Sequence, residues 1–223
     1  MEKNNKNLHE QIKRKLQKEA EQFLTKKQLV LKNLIISPKE IEIYYYKAGE
    51  FEDEAVHKHN LQQNNKNHFY VHRCKNSNSY KGGNRAGLDF VISQKEGIYY
   101  SYLIRSAMIN DVPIVGPNKV LKKIKEDCHL ENENLEGELV ELRSNNNTND
   151  ILFSNRINLS KGFINCELRA VVCDDTFRQN KYPAKEHMIV KFLLEKISQQ
   201  QMTKNDALEY ANKNLGYKPS SLK

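Results

Sequence analysis

No run of 18 or more apolar residues occurs anywhere in the 223-residue chain, so nothing in it reads as a membrane-crossing helix. The first thirty residues are polar and carry Glu2, Glu10, Glu19 and Glu21, which disfavours a signal peptide and sets the expectation of an intracellular protein. Cysteine is sparse. Cys74, Cys128, Cys166 and Cys173 form no CxxC pair, which argues against a zinc ribbon or a disulfide scaffold and for reduced thiols. The chain also lacks GxxxxGK(S/T), GxGxxG and GxSxG, so phosphate-loop, dinucleotide and serine-hydrolase readings have no support. Acidic residues are outnumbered, 28 against 36 Lys and Arg, for a net charge of +8. Such a surplus suits a nucleic-acid partner, because Lys and Arg displace counterions condensed on phosphates. Charge alone fits a basic protein without such a partner equally well.

Hydrophobic spacing organises the rest. Residues 1 to 33 are rich in Lys, Glu, Gln and Asn, with Leu8, Ile12, Leu16 and Phe23 at roughly helical intervals, which predicts an amphipathic leading helix. From Gln28 the pattern turns to strand: Leu29-Val30-Leu31, Ile35-Ile36, then the alternating run Glu40 to Tyr46. In a strand, Glu40, Glu42, Tyr44 and Tyr46 share one face and Ile41, Ile43 and Tyr45 the other, so a carboxylate and an aromatic ring stand side by side. Further strands are predicted at Phe69 to His72, Leu88 to Ser93, Ile98 to Arg105 and Leu168 to Cys173. Gly116-Pro117-Asn118-Lys119 reads as a loop entering a helix that ends in the Lys122 to Lys125 run. Residues 126 to 150, acidic and then Asn-rich, read as an exposed insertion. A helix is predicted from Ala184 to Gln201 and a short one over Ala207 to Asn212. The resulting division is a basic leading helix or tail over 1–19, a main domain over 20–202 and a helical tail over 203–223.

His57, His59, His68, His72 and Cys74 crowd one region, and imidazole and thiolate are the ligands zinc prefers. Their spacing matches no standard metal pattern, so polar-loop histidines are the expected reading and a zinc protein the rival.

The colinear order of several short segments says more. Ala20-Glu21-Gln22-Phe23-Leu24, Leu29-Val30-Leu31, Glu40-Ile41-Glu42-Ile43-Tyr44, Glu52 to His57, Phe69-Tyr70-Val71-His72, Leu103-Ile104-Arg105-Ser106 and Gly116-Pro117-Asn118-Lys119 together resemble the alkyladenine (3-methyladenine) DNA glycosylase family. The likeness spans roughly residues 20 to 125, with a weaker echo at Asn155-Arg156-Ile157 and Leu168-Arg169. It implies a single α+β domain with a curved, largely antiparallel sheet and peripheral helices. It further implies a monomeric nuclear repair enzyme, with a protein partner open, that flips a damaged purine from double-stranded DNA and hydrolyses its glycosidic bond without metal or cofactor. By position, Glu42 matches the residue that activates water, Arg105 the arginine beside that carboxylate, Tyr44 the aromatic stacked on the flipped base and His57 a pocket histidine. His72 stands where the family has a second pocket tyrosine, and Asp89 where it has an asparagine. Tyr80 is the nearest counterpart of the wedge that fills the vacated duplex. Lys119 is placed to meet a phosphate at the start of its helix. Two rivals stay open: an inactive nucleic-acid-binding or scaffolding protein with the same fold, and a Glu42 that is merely a solvent-facing strand residue.

Overall fold

The computed structural model describes residues 2–72, 86–157, 159, 163, 165–182 and 184–222. The expected leading helix is α1 (Glu2–Lys26), one continuous element that passes residue 19 without a break. Leu16, Ala20, Phe23 and Leu24 fall on one helical stripe and are buried, so the segment is part of the core and not a detachable tail. The chain then enters β1 (Lys27–Leu31) and turns back into β2 (Leu34–Lys47).

The longest strand, β2, organises the sheet. Along one edge it pairs with β6 (Ile98–Ile109). Along the other it meets three strands in turn: β1 at Leu34 to Ile36, β10 (Arg169–Val172) at Glu40 to Glu42, and β3 (Phe51–Glu52) at Tyr46 and Lys47. β4 (Phe69–His72) and β5 (Gly87–Val91) extend the sheet beyond β6, and β7 (Val112–Val115) pairs back onto the end of β6. β8 (Glu141–Ser144) covers β1 and β9 (Ile151–Ser154) covers β10. Among the described residues these strands form one ten-stranded sheet whose ladders all run antiparallel, giving an α+β architecture.

Two register shifts interrupt the β2–β6 ladder and cancel. Pro38 pairs with Ala107 and Glu40 with Ser106, which leaves Lys39 unmatched on β2; Ile41 then pairs with Ile104, which leaves Arg105 unmatched on β6. Pro38 lacks a ladder N–H and is accommodated at such an irregularity. Bulges also re-aim the extra side chain, and here that side chain is Arg105.

The main core lies between α1 and the inner face of the sheet, where Ile41, Ile43, Phe90, Tyr102 and Ala170 are buried. α3 (Pro117–Cys128) closes it from the other side with Val120, Leu121 and Ile124. That helix opens on Gly116 at φ +110°, a backbone region few other residues tolerate, followed by Pro117 at its first position. A second core gathers α5 (Asp175–Gln179), α6 (Lys185–Ser198) and α7 (Lys204–Leu215) over Leu152 and Val171. Ala207 and Ala211 of α7 are fully buried, so the expected C-terminal helix packs against this second core.

The section expected as an exposed insertion is also different. It holds the short helix α4 (Asn132–Gly137) and strand β8, and Leu135 and Val140 belong to the main core. The Asn run has a structural use: the Asn145 and Asn147 amides donate to Lys26 O and Thr25 O at 2.8 and 2.9 Å, satisfying carbonyls that the end of α1 leaves open.

Candidate active site

Cross-strand partners share a sheet face, and one row of partners runs across six strands. Tyr70 on β4 pairs with Asp89, Asp89 with Leu103, Leu103 with Glu42, Glu42 with Arg169, and Arg169 with Ser154 on β9. The alternation read from Glu40 to Tyr46 places the polar members of this row opposite the Ile41 and Ile43 face, which is buried in the main core. Tyr44, Ala55, Val56 and Leu103 form a small separate apolar cluster beside the row.

Glu42 is buried at 1% exposure and is not a solvent-facing strand residue. Its Oε1 accepts the Ile157 backbone N–H at 2.8 Å and lies 3.2 Å from Arg105 Nη1; its Oε2 accepts the Tyr44 hydroxyl at 3.0 Å. Burial, and then the neighbouring Glu42 charge, push the Tyr44 phenol well above its ordinary range, so it stays a donor. Arg105 Nε donates to Glu40 Oε1 at 3.1 Å, and Arg169 Nε donates to that same oxygen at 2.7 Å.

A second buried pair stands behind Tyr44. The Arg156 guanidinium lies 4.8 Å from the centre of the Tyr44 ring and donates to Asp53 Oδ2, with both of these side chains fully buried. Asp53 also accepts from the Ala55 and Phe163 amides, and Arg156 Nη1 donates to Ile43 O at 3.2 Å. The segment carrying Arg156 and Ile157 therefore holds the ring and the carboxylate at once.

On the far side of the row, His57 Nδ1 lies 3.0 Å from the Tyr70 hydroxyl, and the His59 ring stacks on Tyr70 at 5.2 Å. Asp89 is fully buried and accepts from Ser101 Oγ at 2.6 Å and Gln62 Nε2 at 3.4 Å. Burial outweighs these bonds and the nearby His57 and pushes the Asp89 carboxyl up to about 7. A carboxyl whose folded pKa is raised stabilises the fold fully only below its unfolded value, and that contribution disappears as pH rises through the folded pKa. Asp89→Asn, which cannot ionise, is expected to gain stability relative to wild type by about 2–3 kcal/mol between pH 5 and pH 8. Denaturant unfolding at the two pH values measures this, and an equal difference at both would show that Asp89 carries no such proton.

The structure thus brings Glu42, Tyr44 and Arg105 into direct contact and puts Asp89 on the same row, with His57 joined to it through Tyr70. His72 is described by its backbone alone, paired with Gly87 at the end of β4, and Tyr80 and Cys74 lie outside the described residues. Lys119 is exposed on the first turn of α3. The Gly116 amide just before that helix donates to Arg105 O at 2.8 Å, which ties the helix start to the site strand. Among the described residues no group of three or more His, Cys, Asp and Glu side chains is arranged to hold a metal ion. Sequence reasoning did not single out Asp53, Arg156, Tyr70 or the Ile157 amide as site members; only the echo at Asn155-Arg156-Ile157 pointed that way. Beyond Arg169 the row opens into a cleft of about 530 Å³, lined among others by Lys13, Ser154, Arg156 and His187.

Comparison of the chain with protein-family models and with curated proteins gives no match.

Proposed function

We propose that the chain is a DNA glycosylase of the alkyladenine type, which excises alkylated or deaminated purines with a water activated by Glu42. The observation that carries this reading is the coordination of one carboxylate. Among the described residues Glu42 accepts two hydrogen bonds, from the Ile157 amide and the Tyr44 hydroxyl, and Arg105 Nη1 stands 3.2 Å from its Oε1 as an ion-pair partner. An ionised carboxylate offers about four lone-pair sites, so capacity is left to accept a bond from water. In the reaction the water oxygen bonds to the sugar C1′ as the C1′–N bond breaks. Glu42 takes the water proton, and the bond's electron pair leaves with the base, as in other glycoside hydrolyses.

The surroundings suit an extruded base. Unstacking a nucleotide costs a few kcal/mol, which stacking and hydrogen bonds in the pocket must offset. Tyr44 provides the ring, and Arg156 packed against it fixes the ring's plane. Asp89 and Tyr70 provide polar edges on the same row, and His57 adds another through its contact with Tyr70. The resemblance of Glu42, Tyr44, His57 and Arg105 to the family's motif residues, in their colinear order, supports the same roles.

Methylated duplex DNA incubated with the protein and then cleaved at abasic sites tests the reading directly. Strand breaks dependent on Glu42 support it; binding of the duplex without breaks at any pH favours the inactive scaffold. DNA contact has its own test at Lys119, exposed at the start of α3. Lys119→Ala is expected to weaken binding to all sequences alike and to lower the slope of log K against log salt by about 0.9, the value of one phosphate contact. An unchanged slope removes Lys119 from the DNA surface.

A further inference from the structure

We infer that Glu40 is a positioning residue for the water-activating carboxylate: by occupying Arg105 Nε, with Arg169 locking it from β10, it keeps Arg105 from gripping Glu42 with two parallel N–H bonds. This inference rests on the glycosylase reading and names a residue that the reading itself does not need.

A guanidinium can approach a carboxylate side-on with two parallel N–H bonds, and left alone Arg105 would do so with Glu42. Here its Nε donates to Glu40 Oε1, and its approach to Glu42 is an ion-pair contact of Nη1 with Oε1 at 3.2 Å. Two parallel N–H bonds from Arg105 to Glu42 would fill the lone-pair sites left for water. Glu40 is itself held firmly. Its Oε1 takes the shorter bond from Arg169, whose Nη1 donates onward to Ser154 Oγ at 3.2 Å. Glu40 is 4% exposed and Arg169 1%, so water screens little of this arrangement. The two carboxylates and two guanidiniums balance in charge, and the unmatched position of Arg105 on β6 is what lets one arginine face both glutamates. Three strands therefore set how many bonds Glu42 receives from Arg105.

The test compares wild type with Glu40→Gln, Glu42→Gln and the charge-balanced double variant Glu40→Gln/Arg169→Met, which guards against a single variant that fails to fold. The first readout is the Arg105 Nε–H signal in nitrogen–proton NMR, assigned by its loss in Arg105→Lys. It should be unmoved in Glu42→Gln and shifted in both variants lacking Glu40; a signal that moves with Glu42 and not with Glu40 overturns the inference. The second readout is the single-turnover excision rate on methylated duplex, expected to fall by about tenfold to a hundredfold in Glu40→Gln with binding nearly unchanged. In the double variant stability should return while the rate stays low. A rate that recovers with stability means that Glu40 is only structural, and overturns the inference. A wild type that excises nothing overturns the glycosylase reading instead, while the NMR signal still decides what Glu40 holds.

Discussion

Glu42→Gln should lower the single-turnover excision rate by about 10²–10⁴-fold while the variant still binds damaged duplex, the usual size of a general-base contribution. The site explains why the change stays confined to chemistry. A glutamine oxygen can keep the Ile157 amide as a donor beside Arg105, and its NH₂ can donate to the Tyr44 hydroxyl oxygen. The packing around the side chain survives, but the amide oxygen is too weakly basic to take a proton from water. Rate and affinity measured on the same methylated duplex decide the matter, and a rate within a few-fold of wild type would falsify the role given to Glu42.

The second large effect concerns stability. Asp53→Ala strands the Arg156 guanidinium in a site with no exposed surface, which typically costs about 3–5 kcal/mol. For a chain of this size that corresponds to a fall in melting temperature of roughly 10 °C. Removing both charges is a milder change, because the desolvation penalty goes together with the attraction. Asp53→Ala/Arg156→Met should therefore recover most of the loss, and a thermal-melting double-mutant cycle reads it. Equal melting temperatures for Asp53→Ala and wild type would show that the pair contributes nothing. The double variant should also bind damaged duplex less selectively, since Tyr44 then loses the guanidinium behind its ring.

What could be read from residues alone was what repeats locally. The two-residue period of Glu40 to Tyr46 assigned Glu42 and Tyr44 to one face, and a strand has no other way to arrange them. Gly116-Pro117 announced α3 because its backbone requirements are specific to those residue types. The Asp53–Arg156 pair left no such trace: its members are separated by 103 positions and meet only once the sheet has closed. β8 was missed for a different reason. Glu-Leu-Arg-Ser is polar and mostly exposed, a strand only because β1 offers it an open edge. The irregularity that frees Arg105 is likewise a property of two strands together, so neither strand's sequence declares it.

The hub position of β2 has a consequence for how the protein is made. Until β10 arrives, the β2 edge that bears Glu40 and Glu42 is an open row of amides and carbonyls, and β10 joins it from about 129 positions downstream. Gln17 of α1 reaches still further, to Glu167 O, across 150 positions. Chains dominated by such distant pairings fold slowly, because long loops must close before any contact rewards them. During synthesis, the half of the sheet that emerges first waits with this stretch of its central strand's edge open while the rest is translated, and it is vulnerable in that interval to pairing with another nascent chain. The strand that assembles the candidate catalytic row is also the one whose completion comes last.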